Sequence, residues 1–331
     1  MKDILKQLKK SLGEELMENE PLARHTTFGI GGPARYFYKA KTISDLMVAV
    51  NLALNLKIPY LVLGGGSNVL VSDRGFLGLC IKNEARNLSF IKEKAQVIAD
   101  SGVALSRLII ESASYDLGGL EFLYGIPGTV GGAVVSNAGT FGGAIGDFII
   151  SATLLFPNGN AKRVTKKWLN FGYRDCKLRH LVPKPIILSI KFQFATNRRE
   201  EILRKMQHFQ KIRVMKQPVD RSAGSFFKNP KVDRIWAQKY LELKGERDLS
   251  LRSIIEKTGH IPAGWLLEQV GAKKMRVKAA RVSKKHANFL INYKGRATAS
   301  QIRELAEKLK KAVNERFGIV LEEEVEYLGE W

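Results

Sequence analysis

The sequence predicts an α+β fold divided into several small domains, on three observations. Short runs rich in β-branched residues recur along the chain and are broken by only a few amphipathic helical stretches. At 331 residues the chain exceeds what one hydrophobic core usually supports, and its 45% of hydrophobic residues can fill two or three. Glycines gather where strand-like runs end, in loops where backbone must approach something closely.

The elements follow in order. The first ten residues mix charge and apolar groups at helical spacing, which is not the pattern of a secretory signal. Thr42 begins a helix reaching about Lys57, with Asp45 completing a capping box and Leu46, Val50, Ala53 and Leu54 on one face. It leads into a strand at 60–63, a β-α-β opening. Strands follow near 79–82, 88–91 and 96–99, then a helix near 104–115, a glycine-rich region at 125–146, and strands near 149–156 and 186–194. A linking helix over about 198–215 carries Ile202, Met206, Phe209 and Ile212 and ends near Pro218. The texture then changes to Ser225-Phe-Phe-Lys-Asn-Pro and a basic helical spacer. A final helix after Ser300 sets Ile302, Leu305, Leu309 and Val313 on one stripe and stops at Gly318, before a last strand over 319–328.

Three glycine clusters carry the functional signal. Tyr60-Leu-Val-Leu-Gly-Gly-Gly-Ser-Asn-Val-Leu runs a strand into Gly64, Gly65 and Gly66, then Ser67 and Asn68, then a second strand. Its backbone N–H groups can converge on an anion, although a tight hairpin has the same composition. Gly125-Ile-Pro-Gly-Thr-Val-Gly-Gly repeats the theme around Gly128, Thr129, Gly131 and Gly132. Gly29-Ile-Gly-Gly-Pro-Ala fits a dinucleotide fingerprint, but polar residues precede it and a strand follows, so a Rossmann site is not expected. No P-loop occurs. What remains is an extended phosphate-bearing ligand held by several loops.

Composition excludes other classes. No apolar run approaches the ~20 residues of a membrane span. Two distant cysteines, Cys80 and Cys176, suit a reducing cytoplasm without disulfides, and five scattered histidines give no metal-binding spacing. Lys plus Arg number 54 against 32 acids, a net charge of +22 that attracts polyanions. The basic residues are nevertheless spread along the chain, often beside acids, and no nucleic-acid recognition motif is present. A nucleic-acid binder with purely structural glycine loops is the rival reading.

Several side chains could carry chemistry. Ser225 follows Gly224 and precedes two aromatics, with Lys228 three residues on; lacking a nucleophile elbow, it suits proton donation to a carbanion better than hydrolysis. Arg174, beside Tyr173, can hold a carboxylate in two-pronged fashion, although a surface Arg–Asp pair looks the same. Arg213 and Lys216 lie one turn apart and suit a diphosphate, or form a solvated charged face. In the last strand Glu322, Glu324 and Glu326 share a face, and pattern alone does not single one out.

Together these segments resemble the UDP-N-acetylenolpyruvoylglucosamine reductase family. The resemblance runs in order from His25-Thr-Thr-Phe-Gly-Ile-Gly-Gly-Pro-Ala through Leu63-Gly-Gly-Gly-Ser-Asn-Val-Leu, Gly125-Ile-Pro-Gly-Thr-Val-Gly-Gly-Ala and Tyr173-Arg-Asp. It continues through Ala223-Gly-Ser-Phe-Phe-Lys-Asn-Pro, Ala263-Gly-Trp-Leu-Leu-Glu and His286-Ala-Asn-Phe-Leu-Ile-Asn to Leu321-Glu-Glu-Glu-Val. It implies an FAD-binding fold of the vanillyl-alcohol-oxidase (PCMH) type in two α+β subdomains, residues 1–59 (completed by 319–331) and 60–214, plus an α+β substrate-binding domain at 215–318. The short spacing from Arg174 to Lys216 resembles the subclass without a tyrosine-bearing insertion loop.

The implied activity is reduction of UDP-N-acetylglucosamine enolpyruvate to UDP-N-acetylmuramate in peptidoglycan synthesis, with non-covalent FAD, NADPH as co-substrate and no metal, by a cytoplasmic monomer that engages neither nucleic acid nor membrane. On the family's motifs, Ser225 would protonate C2 of the enolpyruvyl group after hydride reaches C3, and Arg174 and Glu324 would stabilise the enol-like intermediate. Gly64 to Asn68 and Gly128 to Gly132 would hold FAD; Arg213, Lys216, Lys228 and Asn229 would hold the UDP-sugar. Three features depart from the family: Cys176 where serine is usual, which puts a reactive thiol near the site, Phe141 where tyrosine is expected, and Val277-Lys-Ala-Ala-Arg-Val-Ser in place of a glycine-bearing segment.

Overall fold

In a computed structural model the described residues are 2–233, 236 and 249–331. The basic spacer expected after Pro230 falls largely outside them. Two sheets and a helical C-terminal unit make up the fold. The first sheet has the order Met17–Pro21, Pro33–Ala40, Phe76–Asn83, Tyr60–Leu63; its first pair is antiparallel and the others are parallel. Helix Ile43–Asn55 covers it. Thr42 accepts the Asp45 N–H and Asp45 accepts the Thr42 N–H, the reciprocal cap the sequence specifies, and Leu46, Ala49, Val50 and Ala53 are buried.

The second sheet is antiparallel throughout, ordered Ala161–Thr165, Ile149–Leu155, Ile186–Gln193, Gln96–Asp100, Leu88–Ile91. Helices Leu105–Ala113 and Arg199–Lys216 contribute Leu105, Leu108, Ile202 and Met206 to its core. The expected boundary at residue 59 is corrected by this topology: strands 60–63 and 76–83, assigned to the second subdomain, hydrogen-bond within the first sheet.

The C-terminal unit packs helix Ala299–Phe317 on a three-stranded sheet of Arg276–Val277, Ala280–Val282 and Leu290–Asn292. Ile302, Leu305, Leu309 and Val313 are fully buried, and Gly318 at φ +67° ends the helix. Its core also takes in Phe28, Ile30 and Leu70 from the N-terminal half, so the units share apolar material. Asp73 crosses between them. Its carboxylate accepts the N–H groups of Ala299 and Ser300 and the Ser300 hydroxyl, at 2.7–2.9 Å.

The last strand is shorter than expected. Of residues 319–328 only Glu326–Leu328 forms a ladder, parallel to Val69–Val71, while Glu323 makes an isolated bridge to Phe227. The segment is squeezed between two backbones, so its faces do not alternate cleanly: Glu322 is exposed, whereas Glu324 is mostly buried.

Asp73→Ala removes a carboxylate from a helix N-terminus, so it should cost about 1–2 kcal/mol of stability. Denaturant titration should show the midpoint falling with an unchanged slope.

Candidate active site

The site begins where strand Tyr60–Leu63 runs out into Gly64–Asn68. This loop lies against the second glycine cluster, and the missing side chains explain the contact: a Cβ on Gly65 would sit 2.7 Å from the Gly128 Cα. Gly66 at φ +64° and Gly128 at φ +132° occupy conformations that side chains resist. The Ser67 hydroxyl donates to the Pro127 carbonyl at 2.9 Å and ties the loops together. Lys82 donates from behind to the Gly64 carbonyl, and burial lowers its pKa. None of the hydrogen bonds among the described residues engages the N–H groups of Gly65, Gly66 or Ser67. They remain available to an anion.

The two loops wall a cavity of about 780 Å³. Gly64 to Asn68, Gly128, Thr129, Gly131 and Gly132 line it, and so do Arg174, Ser225 and Glu324. The structure thus brings every expected flavin-loop residue and all three expected catalytic residues to one recess.

Arg174 sits at the tip of a tight turn closed by hydrogen bonds between Gly172 and Asp175, with φ +52°. A non-glycine residue in that region is uncommon and strained. Its Nε lies 3.0 Å from Glu324 Oε1, yet the N–H is not aligned on that oxygen and takes no hydrogen bond. Burial raises the Glu324 pKa, against the opposing pull of Arg174, Arg179 and Lys228. Arg179, which the sequence reading missed, approaches the Arg174 carbonyl and Glu326, each at 3.5 Å.

Ser225 follows Gly224 at φ +78°, and its hydroxyl makes none of the hydrogen bonds of the described residues. Its position is set by its neighbours. Phe226 and Phe227 are fully buried, and Asn288 accepts from both of their N–H groups and donates to the Phe227 carbonyl. The Phe226 carbonyl accepts the Glu324 N–H at 2.8 Å, so serine and acid enter the recess from adjacent backbones. Asn288 belongs to a motif the sequence singled out, but nothing local marked it as the clamp.

The expected substrate residues fare less well. Arg213 lines the recess, and its guanidinium donates to the Tyr124 and Phe122 carbonyls at 3.0 and 2.6 Å, strapping the linking helix to that turn. Lys216 is exposed and off the cavity wall, while Gln217 lines it. Lys228 pairs with Glu322 at 3.1 Å outside the recess. Asn229 also lies outside, where its side chain accepts the Ala263 N–H and its own N–H meets the Tyr173 hydroxyl. Cys176 is no reactive thiol: it is buried, burial raises its pKa, and it donates to the Val135 carbonyl. Phe141 is half-exposed beside Phe209 and does not line the recess.

Among the described residues no group of three or more metal-ligating side chains occurs, and no helix is long and apolar enough to cross a membrane.

Comparison with known proteins agrees with this geometry. Residues 34–165 match an FAD-binding domain family, and residues 216–328 match the family described as UDP-N-acetylenolpyruvoylglucosamine reductase, C-terminal domain. The reductase of that name from Carboxydothermus hydrogenoformans is 34% identical over 98% of this chain and 97% of its own length. The one from Clostridium novyi is 36% identical over 99% and 97%. The crystal structure of the reductase from Thermus caldophilus superposes with a TM-score of 0.72 at 32% identity, covering 95% of this chain and 98% of that one. With one-third identity sustained along nearly the whole length, the chain belongs to the UDP-N-acetylenolpyruvoylglucosamine reductase family.

Proposed function

We infer that this flavoprotein oxidoreductase reduces UDP-N-acetylglucosamine enolpyruvate to UDP-N-acetylmuramate with NADPH, acting in the cytoplasm as a monomer. The observation that carries the reading is the convergence of Ser225, Arg174 and Glu324 on the recess walled by the two glycine loops. The residues present suit FAD: the N–H groups of Gly65 to Ser67 make none of the hydrogen bonds of the described residues, and three successive glycines leave the backbone at 64–66 bare beside the recess. When bound there, FAD carries hydride from NADPH to C3 of the enolpyruvyl ether.

The chain's own residues supply the rest. Ser225 holds a proton for C2 with a hydroxyl that no protein acceptor engages. Arg174 and Glu324 face the enolpyruvyl carboxylate, where charge collects as the hydride arrives. A carboxyl biased toward its protonated form can donate to that oxygen, and the Arg174 cation beside it offsets the developing negative charge. The strained turn holds the guanidinium there before substrate enters, so no reorganisation is needed during reaction. Lys228 and Asn229 follow Ser225 in the chain, with Lys228 paired to Glu322 and Asn229 accepting the Ala263 N–H, and would meet the UDP-sugar at the margin of the recess. Lys216 reaches the outer phosphates from the mouth, one residue before Gln217.

Purified protein should be yellow, absorbing near ~450 nm, and Gly65→Ala should lower flavin occupancy because the added methyl collides with the Gly128 backbone. Equal flavin content in both proteins would disprove the cradle. Ser225→Ala should leave flavin reduction by NADPH intact while slowing reoxidation by the enolpyruvyl substrate by about 10²–10⁴-fold, the worth of a positioned general acid. Stopped-flow absorbance separates the two half-reactions, and equal losses in both would remove the proton-donor role. Because the Glu324 pKa is raised, its protonated fraction falls as pH climbs through that value, so reoxidation should slow on the alkaline side. Glu324→Gln should be slower by about 10²–10³-fold and should lack that limb.

A further inference from the structure

The net charge of +22 is not evenly distributed in space. Between Glu268 and Glu304 the chain contains no acid, and Glu268 itself is paired with Lys273 at 2.6 Å. The segment includes Lys274, Arg276, Lys278, Arg281, Lys284 and Lys285, and no ion pair of the described residues neutralises any of them.

Three features of this hairpin work against its own stability. Arg276 and Arg281 stand directly opposite each other on adjacent strands, where like charges repel. Lys278 occupies the turn at φ +50°, a position glycine would fill without strain. The Nε of Arg281 is buried with no hydrogen-bond partner among the described residues, a cost that its guanidinium offsets only in part by lying over the Tyr293 ring, 3.6 Å from the centroid. Concentrated positive charge held against such costs points to an anionic visitor.

The C-terminal end of the hairpin adjoins residues that line the recess. Lys285 donates to the Val214 carbonyl, one residue beyond the cavity-lining Arg213, and Phe289 lines the cavity itself. Between them burial lowers the His286 pKa, with Glu268 opposing and Lys273 and Lys216 adding to the effect.

We propose that the basic hairpin 274–285 is an electrostatic funnel that draws polyanionic nucleotide ligands, the UDP-sugar and NADPH, toward the recess. This rests on the functional reading above. The hairpin contributes to the rate of encounter and leaves the chemistry untouched. Charged funnels of this kind raise association rates by about 10–10³-fold and lose their effect as salt shortens the Debye length from about 30 Å at 10 mM to about 3 Å at 1 M.

The test is stopped-flow association of UDP-N-acetylglucosamine enolpyruvate with oxidised holoenzyme, read from the bound flavin's spectrum. The variant Lys274→Gln/Lys278→Gly/Lys284→Gln removes three charges, and its glycine relieves the turn. At 10 mM ionic strength it should associate about fivefold more slowly than the unaltered chain, with the gap closing at 1 M, kcat unchanged and thermal stability equal or higher. A merely structural hairpin predicts altered stability and no salt-dependent gap. Salt-independent association of the unaltered chain, or a variant that matches it at low salt, overturns the funnel alone. So does a variant that keeps its association rate but loses salt-labile binding to RNA, since the charge then serves a macromolecule. If the unaltered chain's flavin does not respond to the ligand at all, the functional reading fails and the funnel with it.

Discussion

One backbone segment, Glu322 to Leu328, holds the site together. On one side the Phe226 carbonyl accepts the Glu324 N–H and the Glu322 carbonyl accepts from Lys228. On the other, the Asn68 carbonyl accepts the Glu326 N–H, and the Asn68 side chain donates to the Glu324 carbonyl at 3.0 Å. Three parts that are far apart in sequence, the glycine loop, the serine and the acid, are therefore fixed by four hydrogen bonds to a single strip of chain. Displacing that strip would move the acid relative to both the cradle and the hydroxyl.

Burying Glu324 beside Arg174 is not an economical way to build stability. Withdrawing two charges from water costs more than their mutual attraction commonly returns. Their contact is moreover imperfect, since the Arg174 Nε comes within 3.0 Å of the carboxylate without meeting the geometry of a good hydrogen bond. An ideal bidentate pair would lock both groups on each other and keep the acid ionised. The looser arrangement leaves donors facing the recess and lets burial dominate the acid's protonation.

Local features were legible in the sequence wherever local physics decides. The Thr42–Asp45 cap, the stripe of the final helix, its Gly318 terminator and both glycine loops depend on residues a few positions apart, and the structure shows each as read. The resemblance to the reductases picked Glu324 out of three alternating acids, which periodicity could not do, because the segment is clamped on both edges and its faces are set by distant backbones. Arg213 shows what spacing leaves out. Spacing pairs it with Lys216, but the carbonyls at 122 and 124 that absorb its donors lie some ninety residues earlier, and no local pattern announces them. The misplaced boundary at residue 59 has a similar origin, since a β-α-β reading gives the order of strands along the chain but not which edge each one joins.

Strand Val69–Val71 has a further bearing on how the molecule is made. Its ladder partner lies 257 residues later, at Glu326–Leu328, so the cradle is synthesised long before the strand that completes it. During that interval an apolar edge waits without a hydrogen-bonding neighbour, a template for pairing with another nascent chain. That ladder cannot close until nearly the whole chain is present, so its loop-closure entropy is met late.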